Sequence, residues 1–388
     1  MQIYQVGGAV RDILLGIEPK DRDWVVVGAE QEELLAKGYK KVGRAFPVFL
    51  HPQTKEEYAL ARSERKKGKG HQGFELDFHA KITLEEDLAR RDFTVNAIAL
   101  DKNGKFIDPF GGINDLKKKL LRHVTDAFSD DPLRVLRAAR FSAKLEFTIA
   151  PNTKNLLAKI VSSGELGTLS EERIQRELVL SLQTMAPNNF FKTLEDCGAL
   201  SKLLPECNFT KLTDPKCEVY KYFKKLNKPC DRDYLILLAI YIAKTEEIKS
   251  IGSFSKLASR LKFSKVIQEQ IYIASENWNE IVNASKASTN SVLSLLKKTD
   301  AFRRVTRFKQ ILASMEAMTS EYGNKLDESL LLLNHIIENP VSVQKNLKTE
   351  KNTTEKTINE IKITLDKKRK EQIEKTKASY LAKRVKLD

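Results

Sequence analysis

A change of periodicity near residue 125 limits what this chain can fold into more than any other feature. Before it, short runs rich in β-branched and aromatic residues (IYQV, DWVVVG, FPVFL, EYALA, AIAL) alternate with short helical stretches, and glycines punctuate them. Such alternation describes a mixed sheet with helices packed on it. Beyond it, LRVLRAARFSAKL, SEERIQRELVLSLQ and YLILLAIYIAK carry apolar residues three and four apart, the spacing of helices with one buried stripe. The expectation is an α+β chain, sheet and helices first and helices alone afterwards. Its 388 residues, 41% of them apolar, suffice for two or three domains with real cores.

Charge points outward. Lys and Arg number 67 against 52 Asp and Glu, a net +15. A polyanion such as RNA would bind such an excess by releasing counterions, although an ordinary basic enzyme surface has the same composition. The last 48 residues hold 14 Lys and Arg against 7 Asp and Glu, which fits a solvated helix with a frayed end or a basic arm that touches RNA. The closing KRVKLD matches a short basic localisation signal, a pattern frequent by chance. Cys197, Cys207, Cys217 and Cys230 form no CxxC pair and have no histidine among them, so they read as thiols of a reducing cytosol. The N-terminus lacks the pattern of a signal peptide, and the apolar run 234–243 is too short to span a bilayer. A cytoplasmic protein is expected.

Two short motifs carry chemistry. Gly7-Gly8-Ala9-Val10-Arg11-Asp12 follows a strand-like run and opens a helical one. Glycines there allow backbone N–H groups to approach a triphosphate at the positive end of a helix, with Arg11 to add a charged contact. No GK[ST] follows, so it is not a Walker loop, and a plain tight turn has the same sequence. Next, Asp21 and Asp23 flank Arg22 ahead of WVVVG. In a strand, residues two apart share a face, so these would present two carboxylates side by side. Two carboxylates plus substrate phosphates suit Mg²⁺, and two such ions can activate a ribose 3′-hydroxyl and stabilise pyrophosphate as it leaves.

In this order and spacing the motifs resemble the superfamily of class II tRNA nucleotidyltransferases and bacterial poly(A) polymerases. The resemblance continues through Glu86-Asp87-Leu88-Ala89-Arg90-Arg91-Asp92-Phe93-Thr94-Val95-Asn96-Ala97, Asp108-Pro109-Phe110-Gly111-Gly112, Asp130-Asp131-Pro132-Leu133-Arg134-Val135-Leu136-Arg137-Ala138-Ala139-Arg140-Phe141 and Glu172-Arg173-Ile174. The start near Met1 and the DRDWVVVG wording look like the bacterial CCA-adding branch. The resemblance implies a catalytic head over residues 1–125, a helical neck with a nucleotide-selection helix over 126–206, and a helical body and basic tail over 207–388 that binds tRNA. It implies that Gly8 and Arg11 contact the incoming nucleotide, that Asp21 and Asp23 bind Mg²⁺ with Glu57 as a third carboxylate, and that Arg91, Arg137 and Arg140 hold phosphate or ribose. Asp131 and Arg134 would read the base edge of CTP or ATP. That chemistry is coherent: a carboxylate accepts from an amino group while a guanidinium donates to a ring acceptor, an order that UTP and GTP reverse. The implied reaction is addition of CTP, CTP and ATP to tRNA without a template. Poly(A) tailing, addition of CC or A alone, and a non-catalytic RNA-binding relative are the alternatives.

Several residues have a plainer reading. Asp131 before Pro132 also suits a helix N-cap. Arg90, Arg91, Asp92 and Asn96 could be a cap and salt-bridge cluster. Positions 131, 134, 137 and 140 recede by 60° per step around a helix, so they cannot all touch one base. The basic run 62–70 reads as a loop near phosphate or RNA, or simply as a solvated loop. Two departures from the family stand out. Asp130 occupies a position where glutamate is usual, and no histidine falls between residues 124 and 334. Where longer relatives carry a metal-binding HD pair, this chain reads Tyr241-Ile242, so no phosphohydrolase activity is expected.

Overall fold

The computed structural model describes residues 1–42, 48–66, 74–77, 79–245, 252–342 and 355–384. Residues 67–70 of the basic run 62–70, most of the segment 341–354 and most of the closing KRVKLD lie outside these. The chain divides into two compact units, one of residues 1–205 and 209–215 and one of residues 206–208 and 216–388.

The first unit is built on a seven-stranded sheet. In chain order its elements are β1 (Gln2–Val6), α1 (Gly8–Leu14), β2 (Asp23–Val27), α2 (Gln31–Ala36), β3 (Lys40–Val42), β4 (Val48–Leu50) and β5 (Glu57–Leu60). A separate hairpin of β6 (Ser63–Lys66) and β7 (Phe74–Asp77) follows, then α3 (Leu84–Ala89), β8 (Ala99–Leu100), β9 (Phe106–Ile107) and α4 (Gly112–Lys117). The sheet order is β3-β4-β5-β2-β1-β8-β9, with β2 and β5 parallel and β1 antiparallel to β2. Alternation along β2 sorts its side chains between two cores. Trp24 and Val26 join Leu34, Phe49, Tyr58 and Leu60 on one face. Val25 joins Val6, Leu88, Ala97 and Ala99 on the other.

The Asp108–Gly112 motif is explained by packing. Asp108 accepts from the N–H groups of Gly112 and Ile113 at 2.7 and 2.9 Å and so fixes the start of α4. A Cβ on Gly112 would lie 2.1 Å from the carbonyl oxygen of Thr94, so only glycine fits. Next come α5 (Leu133–Leu145), α6 (Pro151–Ser162), α7 (Glu171–Leu182) and α8 (Pro187–Asp196). Helix α5 buries Val135, Leu136, Ala138 and Ala139, and packs on both α7 and α8.

The second unit is helical. Its central helix, Asp231–Thr245, buries every residue from Leu235 to Ile242, and it packs against Lys265–Glu276 and Val305–Met315. Tyr241 and Ile242 thus sit in a packed core. A long helix, Thr319–Glu338, bends at Gly323, whose φ of 58° interrupts it. The basic segment supplies one 30-residue helix, Glu355–Arg384. Among the described residues no helix is long and apolar enough to cross a membrane, and none of the four cysteines is in a disulfide.

Candidate active site

The two aspartates lie where β2 emerges from the turn after α1. Strand β2 begins at Asp23, so Asp21 sits in the bend before it rather than in the strand. The side-by-side strand geometry expected from the sequence is therefore not what pairs them. Their charges nonetheless interact. Asp23's carboxyl is raised above the usual carboxylate range chiefly by surrounding protein, is pulled down by Arg91, and is pushed up again by Asp21. Glu57 is the register partner of Asp23 on the neighbouring parallel strand. Because Trp24 stacks on Tyr58 with ring centroids 5.6 Å apart, the flanking Asp23 and Glu57 belong to the opposite face, the face of Val25 and α3.

Arg91 reaches this corner from the end of α3. Asp87 is fully buried and accepts from Arg90 at 2.6 Å and from Arg91 at 3.2 Å, pairs spaced i,i+3 and i,i+4. Burial raises the Asp87 carboxyl, but the two guanidiniums and their hydrogen bonds outweigh it and hold it low. So anchored, Arg91 stands against the glycine turn: a Cβ on Gly7, whose φ is 74°, would meet its Nη1 at 2.8 Å. A Cβ on Gly8 would meet Arg11 Nη2 at 3.4 Å. The absence of side chains at both glycines leaves room for these guanidiniums.

Arg11, expected at the nucleotide, is buried to 2% exposure. Its Nε and Nη2 donate to Asp12, and its Nη1 donates to Asn96 at 2.7 Å. Asn96 in turn donates to Asp92 at 3.0 Å, and Arg137 donates to the other oxygen of Asp92 at 2.8 and 2.6 Å. An unbroken chain, Asp12–Arg11–Asn96–Asp92–Arg137, therefore ties α1 to α5 through the 3-10 turn Thr94–Asn96. The guanidiniums of Arg11, Arg137 and Arg140 lie 5.5, 5.4 and 4.3 Å from the centroid of the Phe141 ring. Burial pushes Lys144 down, helped by Arg11, opposed by Asp12, and helped again by Arg140 and Lys20, so this wall is rich in cations.

Asp92 makes stability pH-dependent. Burial pushes its carboxyl up, but Arg137, the Asn96 hydrogen bond and the Phe93 amide outweigh this and hold it at about 2, below the ordinary 3.8. A depressed carboxyl contributes stability that is complete above the unfolded value and is lost as pH falls through the folded one. Urea midpoints of the wild type should therefore decline between pH 4 and 2 more steeply than those of Asp92→Asn. Parallel curves would contradict the assignment.

The expected base-reading pair sits at the start of α5. The helix begins at Leu133, and Asp131 Oδ1 accepts from the Leu133 N–H at 3.0 Å, so the capping role is real. Arg134 is buried, donating to the carbonyls of Ala127 at 3.0 Å and Arg90 at 2.6 Å, with its guanidinium 5.5 Å from the Phe128 ring. Arg140 pairs with Glu177 at 2.5 Å. Asp87, Asn96, Arg173 and Glu177 are the supporting residues to which sequence reasoning gave no definite role. Only Asp87, with arginines three and four residues on, carried a readable signal.

Among the described residues no three His, Cys, Asp or Glu side chains are grouped so as to hold a metal ion by themselves. Two carboxylates, one of them lifted by burial and further by the charge of the other, suit a hard divalent cation that takes its other ligands from phosphate and water. A mixed sheet carrying two aspartates beside a glycine turn and an anchored arginine suits the transfer of a nucleotidyl group.

Comparison with known proteins narrows that class. Residues 3–122 match the poly(A) polymerase head domain, and residues 146–210 match the probable RNA- and SrmB-binding site of polymerase A. The multifunctional CCA protein of Chromobacterium violaceum is 42% identical over 343 residues, covering 82% of this chain and 84% of the relative. The CCA-adding enzyme of Coxiella burnetii is 41% identical over 354 residues, covering 90% and 91%. The chain belongs to the CCA-adding enzyme family of nucleotidyltransferases. Solved structures share the fold: an apo CCA-adding enzyme has a TM-score of 0.67 at 24% identity, covering 97% of this chain and 92% of its own. The Thermotoga maritima CCA-adding enzyme complexed with tRNA has a TM-score of 0.63 at 22% identity, with 98% and 91% covered. A nucleotidyltransferase family of this kind points to a divalent metal.

Proposed function

We propose that this chain extends the 3′ end of tRNA by CCA, taking CTP twice and ATP once, with Asp21 and Asp23 holding Mg²⁺. The observation that carries the reading is that Asp23 lies in register with Val6, next to the Gly7–Gly8 turn on which Arg91 packs, and feels the charges of both Arg91 and Asp21. Bound there, Mg²⁺ would supply activation of the ribose 3′-hydroxyl and neutralise the departing pyrophosphate. Glu57, in register with Asp23, is the candidate third carboxylate. Gly8, with no side chain to hold the triphosphate away, would offer it backbone, Arg91 would offer a guanidinium, and Arg11 packs on Gly8 while it donates to Asn96. Arg137 and Arg140 line the cationic wall along α5, suited to ribose or to phosphates of the tRNA end. Asp131 and Arg134 read the base edge. To do so Arg134 would exchange its carbonyl partners for the base, and the carbonyls of Ala127 and Arg90 would need other donors in its place. The tRNA bound by the solved Thermotoga relative supports the choice of acceptor, and a further solved relative was captured with CTP. The helical regions after residue 125, with their basic surface, are proposed to grip the tRNA.

Single-nucleotide reactions test this reading. A tRNA ending at its discriminator base, given Mg²⁺ and CTP alone, should gain two residues, and ATP should be used only after them. An open-ended ladder of A without CTP would mean a poly(A) polymerase instead.

A further inference from the structure

We infer that Arg173 is a specificity-positioning residue that fixes the orientation of the Asp131 carboxylate and so restricts which bases the site accepts. The inference rests on the proposed base-reading role of Asp131. Arg173 lies on α7, 42 residues further along the chain, and its Nη2 donates to both oxygens of Asp131, at 2.9 and 3.2 Å. With the Leu133 N–H at 3.0 Å, the carboxylate receives donors from two separate elements. Its plane is thereby set, and the acceptor directions left over are limited in number and fixed in space. A carboxylate presented this way rewards an amino group arriving along one direction. A carboxylate free to turn would instead admit a water between itself and a carbonyl-bearing base, weakening rejection of UTP and GTP.

The same helix makes a second contact of the opposite sense one turn later. Glu177 accepts from Arg140 at 2.5 Å, so α7 carries a cation and an anion that meet an anion and a cation associated with α5. Both ion pairs are partly shielded, with side-chain exposures of 24% and 18% for Arg173 and Asp131, and 13% and 6% for Arg140 and Glu177. The two pairs tie α5 to the same support, but only Arg173 touches the base-reading carboxylate. That difference separates orientation of Asp131 from general bracing of the helix.

Steady-state single-nucleotide addition to tRNA, with CTP, ATP, UTP and GTP compared, tests this for Arg173→Ala, Arg173→Lys and Glu177→Gln alongside the wild type. Arg173→Ala should raise KM for CTP and lower the preference for CTP over UTP by about tenfold, the scale of one charge-assisted hydrogen bond. Arg173→Lys, which keeps one donor, should recover part of that preference. Glu177→Gln should lower the thermal midpoint while leaving the CTP-over-UTP ratio intact. An unchanged ratio in Arg173→Ala would overturn the inference even if total activity falls, and so would an equal loss of the ratio in Glu177→Gln. Wild-type protein that fails to use CTP would instead overturn the CCA reading, so the two failures are distinguishable.

Discussion

Replacing Asp21 and Asp23 together by asparagine should abolish nucleotide incorporation, with a loss of about a thousandfold or more, the scale seen when a transition-state charge loses its stabilisation. Binding of tRNA at low salt should persist, because it draws on Lys and Arg that the substitution leaves untouched. Folding should persist as well. Both aspartates lie at the surface, and the Asp23 carboxyl is raised chiefly by the protein around it and further by Asp21, so neutral side chains remove an unfavourable charge. The urea midpoint of the double variant should therefore match or exceed that of the wild type. Loss of activity with an intact or raised midpoint separates catalytic carboxylates from structural ones. An active double variant would refute the metal assignment outright.

Asp92→Ala should have the opposite signature. It removes the central acceptor of the chain from Arg11 to Arg137, leaving the Asn96 amide and one guanidinium without their partner. Breaking a buried ion pair from one side costs about 3–5 kcal/mol. The lower end, about 3 kcal/mol, is expected here because Arg137 is a third exposed and water can reach it. Asp92→Asn, which keeps one acceptor oxygen for Arg137 but turns an amide donor toward the Phe93 N–H and Asn96, should cost less than alanine without matching the wild type. Urea unfolding monitored by circular dichroism would show this, and a change under about 1 kcal/mol in Asp92→Ala would mean the chain contributes little. Because the chain aligns α1 with α5, KM for CTP should also rise in the folded fraction.

The contrast between these two carboxylate sites shows what the sequence could disclose. Strands such as IYQV and DWVVVG were legible because β-branched residues alternate between two cores, and the 13 residues of α5 coincide with the periodic run LRVLRAARFSAKL. The β6–β7 hairpin escaped notice because SERK and FELD lack the β-branched pattern that marks a strand. The motif residues were legible, but the partners that hold them were not. Arg11 looked like a phosphate ligand because it follows two glycines, yet its partner Asn96 lies 85 residues away. Asp21 and Asp23 looked like strand neighbours, whereas a bend sets one of them outside β2. Asp131 reads as a cap from its own neighbours and as a base reader from the family resemblance. It does cap α5, and its pairing with Arg173 depends on how α7 packs, which spacing along the chain does not encode.

The central claim is addition of three defined nucleotides without a template, and sequencing the product tests it most directly. A tRNA ending at its discriminator base should be incubated with the protein, Mg²⁺ and all four nucleoside triphosphates, and its 3′ ends read individually. The account predicts that the ends carry C-C-A and stop. Ends that run on as adenosines, or that include U or G as often as C, would contradict it.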